Sequence, residues 1–144
     1  MEFKIINQHT GADAQFTNHQ IASFLELHLD RYGDKIEDIL KCIAYVFTPG
    51  KGGFITLGIE NEQIVGAVII NETGMDGYIP ENILVYIAVH ENQRGKGMGG
   101  QLLQKVMDIA QGSIALHVEP DNPAKKLYER LGFTNKYLEM RLQR

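Results

Sequence analysis

The run Ile83-Leu84-Val85-Tyr86-Ile87-Ala88-Val89 is apolar at every position. A strand with one wet face alternates, so an unbroken apolar run predicts a strand covered on both faces by other layers. Polar His90 to Arg94 follow, then Gly95, Gly97, Gly99 and Gly100. Next come Leu102, Leu103, Val106, Met107 and Ala110 on one helical stripe, with Gly112 as a stop. Strand, glycine-rich loop and helix in immediate succession oblige the remainder of the chain to supply the covering layers.

Residues 2–6 predict a short edge strand. Thr17-Asn18-His19-Gln20 has the spacing of a capping box ahead of Ile21, Phe24, Leu25 and His28, and Asp34 and Glu37 repeat the device ahead of Ile36, Ile39, Leu40, Ile43 and Phe47. Two helices joined by a tight turn at Gly33 follow from this. Phe54–Ile59 and Ile64–Ile70 predict an antiparallel hairpin around polar residues 60–63. Residues 71–82 form a long polar connection of the kind that lines binding sites. Ser113–Val118 predicts a further strand, Asn122-Pro123 opens a helix that ends at Gly132, and residues 133–142 supply one or two closing strands. The order β, αα, ββ, β, α, β, α, β is that of an α/β chain with a mixed sheet and helices against it. No repeat or linker divides residues 1–144, so one domain is expected.

The chain carries 14 Lys and Arg against 18 Asp and Glu, a formal charge of -4. Its surface as a whole offers no field for nucleic acid or an anionic membrane, and an anionic ligand must be held locally. The single cysteine, Cys42, excludes a disulfide framework and any cysteine-cluster metal site. The five histidines, at 9, 19, 28, 90 and 117, show no two-ligand spacing, and no metal is expected. Met1-Glu2-Phe3-Lys4-Ile5 does not open like a signal peptide, and the longest apolar run is far short of the about 20 residues that span a bilayer, so a cytoplasmic protein is expected. Edge strands at both termini suit a homodimer.

Four glycines in the six residues 95–100 remove side chains, so that successive backbone N–H groups can converge on a ligand at a helix start. Arg94 and Lys96 add local positive charge. This is the composition of a phosphate cradle, against the simpler reading of a flexible turn with solvated charges. Gly95, Gly97 and Gly100 also satisfy the dinucleotide pattern G-x-G-x-x-G, with Glu119 as the ribose-binding acid. Five residues between strand and first glycine, and a single β-α-β crossover, count against it. The Walker pattern fails, because Gly97 stands where Ser or Thr is required.

Two segments together resemble the GNAT superfamily of acetyl-CoA-dependent N-acetyltransferases. Arg94-Gly95-Lys96-Gly97-Met98-Gly99 is similar to its pyrophosphate loop. The segment from Asp121-Asn122-Pro123-Ala124 through Leu127-Tyr128-Glu129 to Gly132-Phe133 is similar to its second motif. In the common form Tyr follows Asn by seven residues; here Asn122 precedes Tyr128 by six, so Asp121 holds the counted position. The resemblance is dense over residues 83–142. It implies a three-layer fold whose central sheet is mixed, mostly antiparallel and splayed at a central strand pair, with helices on both faces.

The resemblance also implies roles. Backbone groups of Ile87 and Val89 meet the pantetheine arm, and Arg94, Gly95, Lys96, Gly97, Gly99, Gly100 and Asn122 hold the rest of acetyl-CoA. Tyr128 protonates the departing thiolate. Asn122 serves equally as a helix cap, and Tyr128 as a core ring with its hydroxyl at the surface. No carboxylate lies within either strand run, so His117, Glu81 and Glu119 are the candidates for a base, each also readable as a solvated side chain. The acceptor, a small-molecule amine or a protein N-terminus, is expected between residues 17–47 and 71–82. A CoA-binding sensor with little catalysis is the alternative from another class.

Overall fold

A computed structural model describes all 144 residues. The elements are β1 (Glu2–Ile6), α1 (Asn18–Leu29), α2 (Ile36–Phe47), β2 (Gly53–Glu60), β3 (Gln63–Glu72), β4 (Asn82–Val89), α3 (Met98–Ile109), β5 (Ile114–Leu116) and α4 (Ala124–Arg130), with short 3-10 turns at Asp30–Tyr32 and Glu91–Gln93. No helix is long and apolar enough to cross a membrane.

The capping box of α1 forms as its spacing predicts: Gln20 N donates to Thr17 Oγ1 at 3.2 Å and Thr17 N to Gln20 Oε1 at 2.8 Å. The second box does not form. Asp34 instead accepts the hydroxyl of Tyr86 at 2.5 Å, and Glu26 Oε2 caps α2 by accepting from Ile36 N at 2.8 Å. Tyr86 is buried, and a desolvated hydroxyl without a partner costs more than a surface cap contributes.

The strands lie in the order β1-β2-β3-β4-β5, antiparallel throughout except for the parallel pair β4 and β5. The hairpin turn at Asn61 and Glu62 has φ of 51° and 62°, the left-handed pair that matches strand twist in a two-residue loop. One face of the sheet packs Ile55, Leu57 and Ile69 against Ile21 and Leu25 of α1 and Ile39 and Ile43 of α2. The other packs Val68, Ile70 and Leu84 against Leu102, Leu103 and Val106 of α3 and Tyr128 of α4. Each fully buried Leu or Ile contributes about 1.5–3 kcal/mol, so the two clusters hold three layers together. A Cβ at Gly66 would stand 2.6 Å from Leu102 Cδ1, and this glycine lets α3 settle onto the sheet.

Strand β4 is irregular where it matters. Ile69 pairs with Tyr86 and Ile70 with Leu84, so Val85 is an extra residue in a β-bulge. Its partner β5 pairs only with Asn82, Ile83 and Leu84, before the bulge. Asn82 fastens that end, donating Nδ2 to Gln111 O at 2.7 Å and its backbone N to Ser113 O at 3.1 Å. From Val85 onward β4 has no neighbour on that side. This is the splayed strand pair.

Three expectations need correction. The predicted strand 113–118 is reduced to Ile114–Leu116. The long connection begins only after Glu72, and its neck is closed by Thr73 Oγ1 donating to Pro80 O at 2.8 Å. Residues 133–142 form no strand. Tyr137, Leu138, Met140 and Leu142 are 77–91% exposed, and alternation alone does not order a segment that no neighbouring strand accepts.

Candidate active site

After β4 the chain makes one 3-10 turn and reaches Gly95 and Gly97, whose φ values of 78° and 79° are left-handed and whose missing Cβ atoms would meet nothing. The backbone N–H groups of residues 95 to 100 donate to no acceptor in the protein; the next, of Gln101, bonds Gly97 O at 3.1 Å. A helix start alone leaves four orphan donors. Here the two glycine turns extend the series to six, at the positive end of the α3 dipole. Lys96 is exposed and makes no ion pair. A donor set of this kind fits the diphosphate of a CoA molecule.

Arg94, placed with this loop by the sequence, lines the neighbouring cleft and spends its guanidinium on two backbone carbonyls. Its Nε donates to Val89 O at 3.3 Å and its Nη2 to His28 O at 2.8 Å, bracing the end of β4 against the end of α1. The cation thereby satisfies a C-terminal helix carbonyl.

Where β4 leaves β5 a cleft of about 270 Å³ opens, walled by Ile87 and Val89 of β4, His28 of α1, Gly99 of α3 and Asn122 and Tyr128 at α4. His90 N bonds Val65 O, which fixes the parity of the antiparallel ladder. Ile87 and Val89 then occupy non-bonded positions toward β3, with their peptide groups turned to the open side. Val89 O is taken by Arg94; the Val89 N–H and both groups of Ile87 are not.

Tyr128 is 7% exposed, its ring edge-on to Phe133 at 5.9 Å. Burial pushes its pKa up to about 12, further above neutral pH than that of an ordinary tyrosine. Asn122 Oδ1 accepts from Ala124 N at 2.9 Å, closing a turn just ahead of α4, whose cap position is Pro123, and the residue also lines the cleft. Asp121 is directed elsewhere: it pairs with Arg31 at 2.8 Å, and Tyr32 Oη donates to its carbonyl, so the turn after α1 is tied to the turn before α4.

The base candidates drawn from the sequence stand apart from the cleft. His117 is exposed, beyond the end of β5, and Glu119 is exposed further on. Glu81 Oε1 accepts from Ser113 N at 3.2 Å at the fastened end of β4, six residues and about 20 Å of strand from Ile87. None of residues 71–82 lines the cleft, whereas the end of α1 does. His28, read from the sequence as a core position, is the residue that sequence reasoning missed. It is 8% exposed, with its ring between Phe24 at 4.5 Å and His90 at 4.4 Å. Burial lowers its pKa first, His90 and Arg94 lower it further, and Glu91 opposes them. The available signal was an imidazole on an otherwise apolar helix stripe. At the rim, Asp30 holds φ 59° and ψ −134°, a strained conformation for a residue with a side chain, costing about 1–3 kcal/mol.

Residues 51–135 match the acetyltransferase (GNAT) domain family, and the chain belongs to that family. It is 31% identical over 85 residues to N-alpha-acetyltransferase 30 of Schizosaccharomyces pombe, covering 56% of this chain and 57% of that protein. It is 43% identical over 53 residues to mycothiol acetyltransferase of Corynebacterium aurimucosum, covering 33% of this chain and 17% of that protein. The chain thus spans little more than half of the first relative and a small part of the second. The fold is shared with an integron cassette protein from the mobile metagenome of V. cholerae, at 20% identity, TM-score 0.69, and coverage of 99% of this chain and 91% of that one. It is also shared with an aminoglycoside N-acetyltransferase, AAC(6')-Iy, solved in complex with CoA, at 15% identity, TM-score 0.68, and coverage of 99% and 93%. The dinucleotide pattern in Gly95, Gly97 and Gly100 is therefore coincidental: with one parallel strand pair, the sheet lacks the parallel halves that pattern requires.

Proposed function

We propose that this chain transfers the acetyl group of acetyl-CoA to a primary amine, by direct attack of the amine while both substrates are bound. The observation that carries the reading is the run of six unpartnered N–H groups at the start of α3, next to a cleft that Gly99 lines together with the splayed strand. Acetyl-CoA, when bound, supplies an activated thioester. Gly95 to Gly100 and Lys96 would hold its diphosphate, and the free peptide groups of Ile87 and Val89 would pair with its amide-bearing arm. Asn122, with Oδ1 committed to Ala124 N, keeps its amide N–H₂ for the same arm. Arg94, on the cleft wall, keeps the end of β4 in place. Tyr128, whose buried hydroxyl keeps its proton to still higher pH than an ordinary tyrosine, gives a hydrogen bond to the departing sulfur. The acceptor enters at the end of α1. The named relative that acetylates N-alpha positions supports an amine acceptor without fixing whether it is a small molecule or a peptide N-terminus.

Calorimetric titration with CoA, followed by a thiol-release assay with acetyl-CoA and a panel of amines, tests the reading. Binding with turnover of at least one amine is expected. Binding without thiol release from any of them would make the chain a CoA-binding module, and no binding would remove the proposal.

A further inference from the structure

We infer that His28, held against His90 at the end of α1, takes the proton from the acceptor amine. This role presupposes the acetyl transfer proposed for the cleft, and it rests on placement. The ring of His28 lies in the cleft wall and is nine-tenths buried. Its two ring nitrogens make no hydrogen bond within the protein. The fully sealed side-chain polar atoms without a partner are Asn18 Oδ1 and Thr56 Oγ1 alone, so the nitrogens of His28 reach open space. Nitrogens that no protein group occupies and that open to the cleft meet water in the free protein and stay available to a bound amine.

Its neighbours suit the role. His90 Nδ1 accepts from Asn92 N at 3.1 Å, which leaves the proton of the neutral ring on Nε2 and fixes its orientation. His90 is the positioning residue: burial first, and then the His90 ring 4.4 Å away and tilted by 40°, disfavour the imidazolium of His28, which is left neutral and able to accept a proton at pH 7. The other titratable or charged groups around it are Glu91 and Arg94 after β4, Asp30 and Tyr32 after α1, and Tyr128 of α4. Arg94 disfavours the imidazolium and Glu91 favours it.

The step balances. The amine nitrogen forms the C–N bond as the C–S bond breaks, and the electron pair of that bond leaves on sulfur. The N–H proton that the amide does not retain passes to a nitrogen of His28 and from there to water. The thiolate, hydrogen-bonded by Tyr128, takes one proton from water. The sum is amine and thioester to amide and thiol.

The experiment compares wild type, His28→Gln and His90→Gln by CoA calorimetry, by thiol release with spermidine, an aminoglycoside and an unblocked peptide, and by imidazole ¹⁵N NMR. His28→Gln is expected to bind CoA like wild type, to lose about 100-fold or more in kcat, and to lose the acid limb of the kcat/KM profile. Added imidazole should restore part of the rate. His90→Gln should move that limb to higher pH. The His28 resonance should titrate below its ordinary value of 6.5 and shift when CoA is added. A folded His28→Gln with wild-type rate and acid limb overturns the proposal while acetyl transfer stands, and so does an acid limb that ignores His90→Gln or a His28 signal that ignores CoA. If wild type neither binds CoA nor acetylates an amine, both proposals fail together.

Discussion

Two side chains in the cleft are set by burial in opposite directions. Tyr128 is held in its acidic form and His28 in its basic form. Removing the hydroxyl while keeping the ring, Tyr128→Phe, should lower kcat about 100-fold or more and leave CoA affinity little changed, as steady-state kinetics beside calorimetry would show. The pKa of Tyr128 in the fold lies above its unfolded value of 10, so its contribution to stability is complete below pH 10 and lost as pH rises toward 12. For His28 the shift is downward. The unfolded chain binds more protons below pH 6.5, so stability falls as pH drops through 6.5 and levels off below the folded pKa. Circular-dichroism melts from pH 7.5 to 5 should show this loss, and it should be smaller in His28→Gln. The tyrosine was legible in the sequence because a motif carries it. The histidine was legible only as one more position on a helix stripe, since its access to the cleft depends on β4 and α4, far away in sequence.

Strand β4 and the loop after it do most to shape the site. Ala at Gly97 would meet no clash but would sit in a left-handed conformation, costing about 1–2 kcal/mol. Gly97→Ala should therefore weaken CoA binding by more than its modest stability loss suggests, because the loop's N–H directions change with φ. Gly66→Ala is the contrasting case: its Cβ would press on Leu102 Cδ1, and chemical denaturation should show a loss of about 1–3 kcal/mol. Elements governed by local partners were legible, as in the α1 capping box and the glycine loop. The α2 cap was not, because Tyr86, 52 residues further on, claims Asp34. Nor was the bulge at Val85, since seven apolar residues read alike whether or not one of them is unpaired, and the cleft depends on that one.

Across the whole molecule, one sheet separates two cores, and the site lies where the sheet parts between β4 and β5. The three-layer architecture was legible because every covering element advertises its apolar face. The closing strands were not, because alternation in residues 133–142 cannot say which edge would receive them. Ligand bound at the seam ties β4, α3 and α4 together, so CoA at a hundred times its Kd should add about 2.7 kcal/mol of stability, read as a rise in Tm. The most direct measurement is an amide ¹H–¹⁵N titration with CoA. Saturable downfield shifts of the Gly95, Lys96, Gly97, Met98, Gly99 and Gly100 amide protons are predicted, as these donors gain an acceptor. CoA that binds and shifts other amides while these six stay in place would contradict the account.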